Sequence, residues 1–223
     1  MSVVLVVAPH PDDETLGVGD TILRHIANGD DVHWCIVTAM HEAAGFTTER
    51  IEARDKTIAS VAEHFGFVGV HQLGFAAAEL DQVPRADLVG GFSEVISTLA
   101  PERLFLPHPA DAHSDHRITF GAAAACTKWF RYGSLRQVFA YETLSETGFG
   151  IDLTMTAFRP NHYIDISDHH AGKVAALAHY AEESAAHPFP RSEDSVRALA
   201  TLRGSEAGCQ AAEAFMLLRA LED

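Results

Sequence analysis

Near the start of the chain, Val3-Val4-Leu5-Val6-Val7-Ala8 is aliphatic without interruption and mostly β-branched. A strand with one wet face would alternate apolar with polar residues. An unbroken run therefore reads as a strand buried on both faces, which is the situation in a parallel sheet covered by helices. The pattern that follows agrees. A helix is expected from Glu14 to about Asn28, stopped by Asn28-Gly29-Asp30, and a second strand from Val32 to Thr38. Helical patterns over Thr48–Phe65, ending at Gly66, and over Arg85–Leu99 then alternate with strands at Val68–Leu73 and Arg103–Leu106. This regular alternation predicts a Rossmann-like three-layer αβα sandwich around a mostly parallel sheet.

Beyond that point the spacing predicts a small-residue helix over Ile118–Phe130 and a strand over Gln137–Tyr141. A short strand is expected at Tyr163–Ile166, with helices over Asp168–Glu183 and Ser192–Leu202. Ala212–Leu218 fits helix or strand. With 223 residues, 47% of them apolar, and no repeat, linker or low-complexity tract, residues 1–223 read as one domain.

A net charge of −15 sets the average field against phosphate-rich polymers and anionic membrane surfaces, so neither nucleic acid nor membrane is expected as a partner. The apolar N-terminal run is too short for a membrane span and lacks the basic leader of a signal peptide. Cys35, Cys126 and Cys209 are odd in number and scattered, which suits reduced thiols in a cytoplasm. The sequence leaves homo-oligomerisation open.

Two clusters carry the chemistry. Pro9-His10-Pro11-Asp12-Asp13-Glu14 directly follows the first strand, and His108-Pro109-Ala110-Asp111-Ala112-His113-Ser114-Asp115-His116 directly follows the fourth. In open α/β sheets ligands gather beyond the carboxyl ends of the strands. In a doubly wound sheet the first and fourth strands can be neighbours where the strand order reverses, which would join the two loops. Catalytic zinc takes three His or carboxylate ligands and keeps one position open. One His and one Asp from the first loop with one His from the second would supply them. A tight turn cannot aim His10, Asp12 and Asp13 at one ion without strain, so one carboxylate should remain free to take a proton from water. The remaining roles fall among Asp12, Asp13, His113, Asp115 and His116. Helix capping by Asp12 or Asp13 would explain the first cluster alone, but it does not explain two such clusters on two strand ends. The other histidines lack comparable carboxylate company and read as surface or satisfied core residues.

A strand followed by His-Pro-Asp-Asp-Glu, with a later His-x-Asp-His, resembles the PIG-L/LmbE-like family of metal-dependent N-deacetylases. Here these motifs stand at His10–Glu14 and His113–His116. The likeness continues through Arg54, Phe65-Gly66, Leu80-Asp81, Pro101-Glu102, Tyr141-Glu142, Asp165-Ile166-Ser167, Lys173–Leu177 with Tyr180, Arg203-Gly204 and Ala212–Phe215. The resemblance implies His10, Asp13 and His116 as metal ligands and Asp12 as general base. It implies His113 as the group that stabilises the oxyanion or protonates the leaving amine, with Asp115 orienting it, and Arg54 and Asp81 as substrate contacts. The implied cofactor is Zn2+, with Fe2+ or Co2+ as alternatives. The implied substrate is a small N-acylated amino sugar or its conjugate, and a thiol-conjugate amide is the nearest rival. Gly17-Val18-Gly19-Asp20, Thr38-Ala39-Met40-His41 and Thr57 depart from the family's usual residues near the substrate rim.

A His-Asp-His set also holds non-haem iron in oxygenases. Those enzymes commonly use an antiparallel β-roll, and oxygen chemistry would leave Asp12 without a role. Gly17-Val18-Gly19 suggests a dinucleotide fingerprint only weakly, because Ile22 stands where its third glycine would fall and Thr38 ends the second strand. A catalytically silent scaffold would require a defect at one of the named positions, and each is filled by a competent residue.

Overall fold

The computed structural model describes residues 1–152 and 154–222. The chain alternates β1 (Val3–Ala8), α1 (Asp13–Ala27), β2 (Asp31–Ala39), α2 (Thr48–Phe65), β3 (Gly69–Ala76), α3 (Arg85–Leu99) and β4 (Arg103–Pro107). It continues through α4 (Ser114–Ala124), β5 (Gln137–Tyr141), β6 (His162–Asp165), α5 (His170–Leu177), α6 (Glu193–Ala207) and β7 (Ala212–Ala220). The seven strands form one sheet in the order β3-β2-β1-β4-β5-β7-β6. The first five are parallel, and β7 runs antiparallel to both β5 and β6. The expected sandwich with a mostly parallel sheet is what forms.

Strand β1 is central, which accounts for its unbroken aliphatic run: Val4 to Ala8 are fully buried. On one face Val4, Val6 and Ala8 pack with Val18 and Ile22 of α1, Ile58 and Val61 of α2 and Ala176 of α5. On the other face Leu5 and Val7 pack with Leu88, Phe92 and Ile96 of α3 and Ala122 and Ala123 of α4. The period-2 alternation of side chains divides one strand between two cores. The chain winds outward from β1 to β3 and then returns to place β4 on the other side of β1, with Val4 opposite Arg103 and Val6 opposite Phe105. The sheet therefore changes winding direction between β1 and β4, and the loops carrying the two clusters leave from adjacent strand ends.

Several boundaries differ from the sequence expectation. The helix expected over Ile118–Phe130 is α4, which starts four residues earlier at Ser114 and gives way after Ala124 to a 3-10 turn. His113 caps it, its ring accepting the Asp115 N–H, so polar residues that read as loop form the first helical turn. The helix expected over Asp168–Glu183 is shorter, with α5 ending at Leu177 and a 3-10 segment following that is kinked at Tyr180. The helix expected to end at Leu202 runs to Ala207, and the undecided Ala212–Leu218 segment is strand β7. Among the described residues no helix is long and apolar enough to cross a membrane.

Candidate active site

The first cluster turns from β1 into α1 through Asp12, whose φ of 141° and ψ of −25° lie where non-glycine residues are strained. Such a conformation costs on the order of 1–3 kcal/mol and persists only where its surroundings impose it. Here the Asp12 N–H donates to Glu14 Oε2 (3.0 Å) and the Asp12 carbonyl accepts the Leu16 N–H (2.9 Å). Glu14 is itself fully buried, accepting from the Thr15 and Tyr180 hydroxyls, and burial pushes it up to about 7. The Asp12 side chain makes no capping hydrogen bond, so capping does not account for it. Asp13 folds back instead to accept the His10 N–H at 2.8 Å.

Across the β1–β4 junction the two clusters meet. His10 Nδ1 and His116 Nε2 each lie 3.3 Å from Asp13 Oδ2. The second nitrogen of each ring is held by a carboxylate: His10 Nε2 by Asp115 at 3.1 Å, His116 Nδ1 by Asp111 at 2.8 Å. Asp13, Asp111 and Asp115 are all at most 1% exposed. This set fits a divalent cation on two counts. Ligands about 2.0–2.2 Å from a tetrahedral ion stand about 3.4 Å apart, close to the separations present. Imidazoles whose outer nitrogens are fixed by carboxylates are the usual support of metal-ligating histidines. Among the described residues, the groups of three or more donors close enough to share an ion are His10–Asp13–His116 and His10–His113–Asp115, and both contain His10.

The electrostatics of the set are dominated by burial and by its own ion pairs. Burial disfavours charge on Asp13, but His116 and His10 hold it well below the usual carboxylate range. Burial likewise opposes charge on the two imidazoles, yet their carboxylate partners raise His10 to about 9 and His116 to about 10. Asp12 behaves oppositely to Asp13. Burial, and then the adjacent Asp13 charge, push it up to about 8 against the pull of Arg191. Two neighbouring carboxylates thus differ sharply, because Asp13 makes close ion pairs with both imidazoles while Asp12 feels His10 only from farther off.

Each remaining expected residue has a definite place. His113 lines the cleft at the mouth of the site, and its Nδ1 accepts the Asp115 N–H (3.1 Å), so the neutral ring carries its proton on Nε2. Burial, and then His10, hold His113 below its ordinary value. The Asp115 carboxylate stands 4.0 Å from His113 and takes instead the backbone N–H of Ala78 (2.7 Å) and the ring of His10. Asp115 thus reaches His113 through its backbone, while its side chain orients His10. Arg54, on α2, lines the cleft, donating to the Pro11 carbonyl (3.2 Å) and to Glu183 (2.5 Å). Asp81 lies exposed in the 3-10 turn Leu80–Gln82 and is not among the cleft residues.

The cleft has a volume of about 270 Å³ and pairs this polar floor with an apolar flank of Met40, Ile51 and Ile58. Three lining residues, Glu146, Glu183 and Arg191, carried no signal in the sequence. Glu146 and Arg191 sit in turns and Glu183 ends the 3-10 segment after α5, and nothing local to them resembles a motif. His108, though inside the second cluster, turns away and bonds the Thr156 carbonyl.

Residues 5–127, just over half of the chain, match the PIG-L family, described as GlcNAc-PI de-N-acetylase. The diacetylchitobiose deacetylase of Thermococcus kodakarensis is 23% identical over 227 residues, covering 94% of this chain and 80% of that protein. Among solved structures, a conserved protein from Thermus thermophilus superposes with a TM-score of 0.77 at 25% identity, over 100% of this chain and 97% of that one. The N,N'-diacetylchitobiose deacetylase from Pyrococcus horikoshii does so at 0.74 and 20%, over 98% and 84%. The 4-carboxy-2-hydroxymuconate hydratase from Pseudomonas putida shares the fold at 0.73 and 19%, over 100% and 99%. The match spans both clusters and the β1–β4 junction that brings them together, and on that ground the chain belongs to the PIG-L family of de-N-acetylases.

Proposed function

We propose that this protein is a metal-dependent hydrolase that removes an acetyl group from the amide nitrogen of an amino sugar or its conjugate. The observation that carries the reading is the convergence of His10, Asp13 and His116 on one point beside Asp12, a buried carboxylate at the cleft that is not part of the donor set. A divalent ion, zinc in the first instance, would be held by those three residues and would supply Lewis acidity to the acyl carbonyl and lower the pKa of water.

The rest is done by the chain. Asp12 accepts a proton from the attacking water, whose oxygen bonds to the acyl carbon. His113, neutral and protonated on Nε2, donates to the carbonyl oxygen as it becomes anionic. The C–N bond then breaks, the proton taken by Asp12 passes to the nitrogen, and the free amine leaves with acetic acid, which ionises to acetate. The cleft's mix of charged groups and an apolar flank suits a ring that offers hydroxyls on its edge and C–H groups on its face. Similarity to diacetylchitobiose deacetylases favours an N-acetylated glucosamine unit. Because a hydratase shares the fold, acetate release decides the chemistry.

The test is acetate release from N-acetylglucosamine and N,N'-diacetylchitobiose by protein loaded with zinc, cobalt or iron(II). Turnover that is lost on chelation and restored by metal is expected, and the absence of any release by loaded protein would overturn the proposal. Asp12→Asn should keep its metal and lower kcat by about 10²–10⁴-fold, the range for a general base. Native turnover by that variant would remove Asp12 from the role.

A further inference from the structure

Arg191 lies 179 positions from Asp12 in sequence, yet its Nη1 donates to Asp12 Oδ2 at 2.6 Å. The same guanidinium donates through Nε to Ser145 Oγ (2.7 Å) and through Nη2 to Glu146 Oε1 (3.4 Å). Glu146 in turn accepts the backbone N–H of His113 on Oε2 (3.1 Å), and its own carbonyl accepts the Ala112 N–H (3.2 Å). One cation therefore connects the two groups read above as base and oxyanion donor, directly on one side and through a carboxylate on the other.

The framework around it is stiff. Arg191 immediately precedes Ser192, whose hydroxyl caps α6 by accepting the Ser195 N–H, and its carbonyl accepts the Ser184 hydroxyl (3.0 Å). Ser145 adopts a φ of 73°, unusual for a residue with a Cβ, where its hydroxyl meets the Arg191 Nε–H. Each nitrogen of the guanidinium already faces an oxygen of the chain, and Glu183 lies 3.6 Å from Nη1. The side chain is only 18% exposed. A cation so fully engaged is poorly placed to bind a substrate anion, and its planar fork is suited to fixing several acceptors at once.

We propose that Arg191 is a positioning residue for the reaction, holding the Asp12 carboxylate and, through Glu146, the His113 backbone at a fixed mutual spacing. The inference rests on the hydrolase reading for the identity of the groups it aligns. A misplacement of about 1 Å in such groups costs about 100-fold in rate.

The test is a cycle of Arg191→Met, Asp12→Asn and the double variant, with Arg191→Lys as the conservative control, all zinc-loaded and assayed on whichever N-acetyl sugar the unaltered protein cleaves. Arg191→Met should lower kcat by about 100-fold and leave KM and zinc affinity within about threefold. Arg191→Lys, which keeps the charge without the fork, should recover part of the loss. Because Asp12 is one of the two groups that Arg191 aligns, the loss in the double variant should be smaller than the two single losses combined. An unchanged kcat, a rise in KM alone, a loss of zinc affinity, or additive losses in the double variant would each overturn the proposal. If the zinc-loaded protein cleaves no N-acetyl sugar, the hydrolase reading fails separately. The same cycle read in thermal midpoints then decides the Arg191–Asp12 coupling, and additive shifts would refute it.

Discussion

Replacing Asp111 tests whether the donor set is a metal centre, because Asp111 supports one ligand, His116, without belonging to the set. Its Oδ2 lies 2.8 Å from His116 Nδ1, and its Oδ1 accepts the Thr147 hydroxyl at 2.6 Å. Both Asp111 and His116 are 1% exposed, so no solvent shares the contact. Asp111→Asn preserves the shape and one acceptor but removes the charge that fixes the ring and raises its basicity. Loss of such a partner typically weakens metal binding 10–100-fold, or about 1.4–2.8 kcal/mol. Asp111→Ala removes both acceptors and leaves a buried imidazole N–H and a hydroxyl unpaired, at about 1–3 kcal/mol per group. For a chain of this size each kcal/mol lowers the melting temperature by about 2–4 °C. The assay is competition for zinc with a chromophoric chelator at fixed pH, alongside thermal melting of the metal-free proteins. Asn should lose affinity with little change in metal-free melting, and Ala should lose both. Asp111→Asn binding zinc within twofold of the unaltered protein would refute the assignment of His116 as a ligand oriented by Asp111.

Gly17 packs against Tyr141, where an added Cβ would stand 2.7 Å from the ring Cε2, and Tyr141 is fixed by its hydrogen bond to the Val7 carbonyl. Gly17→Ala should therefore destabilise the protein by about 1–2 kcal/mol in urea unfolding, overpacking outweighing the better helix propensity of alanine, and equal or greater stability would contradict this. His33 and His71 face each other across β2 and β3 at 3.2 Å, and burial holds both below their ordinary value of 6.5, His71 adding to the effect on His33. Their unfolded forms take up protons first, so their contribution is present above pH 6.5 and is lost as pH falls below it. The drop in melting temperature between pH 7.5 and 5.5 should be smaller in a His33→Thr/His71→Thr variant than in the unaltered protein; an equal or larger drop would contradict the sign.

Much of the fold was legible because the information is local. The aliphatic run of β1 announces burial on both faces, and Arg85–Leu99 and Gln137–Tyr141 carry their periodicity and end signals within themselves. The short C-terminal elements were less legible. Ala212–Ala220 becomes a strand because β5 and β6 supply partners on either side, which its own residues do not encode. The start of α4 was missed for the opposite reason. Polar residues that read as a loop are helical there because the His113 ring satisfies an N–H of the first turn.

The candidate site divides the same way. His10, Asp12, Asp13, His113 and His116 stand in two short segments, and residue type with spacing was enough to single them out, since ligand chemistry depends on a few adjacent side chains. Which carboxylate faces the imidazoles is a matter of a single strained turn at Asp12, set by Glu14 beneath it. That Asp115 orients His10 and that Arg191 reaches Asp12 are consequences of the chain folding back on itself, whereas Asp111 meets His116 within the turn into α4. The sequence by itself determined the strand-and-helix alternation and the chemical character of the two clusters, because both are written in neighbouring residues. Only the tertiary structure decided which groups meet, because a hydrogen bond depends on distance in space, and residues 12 and 191 have no neighbourhood in the chain.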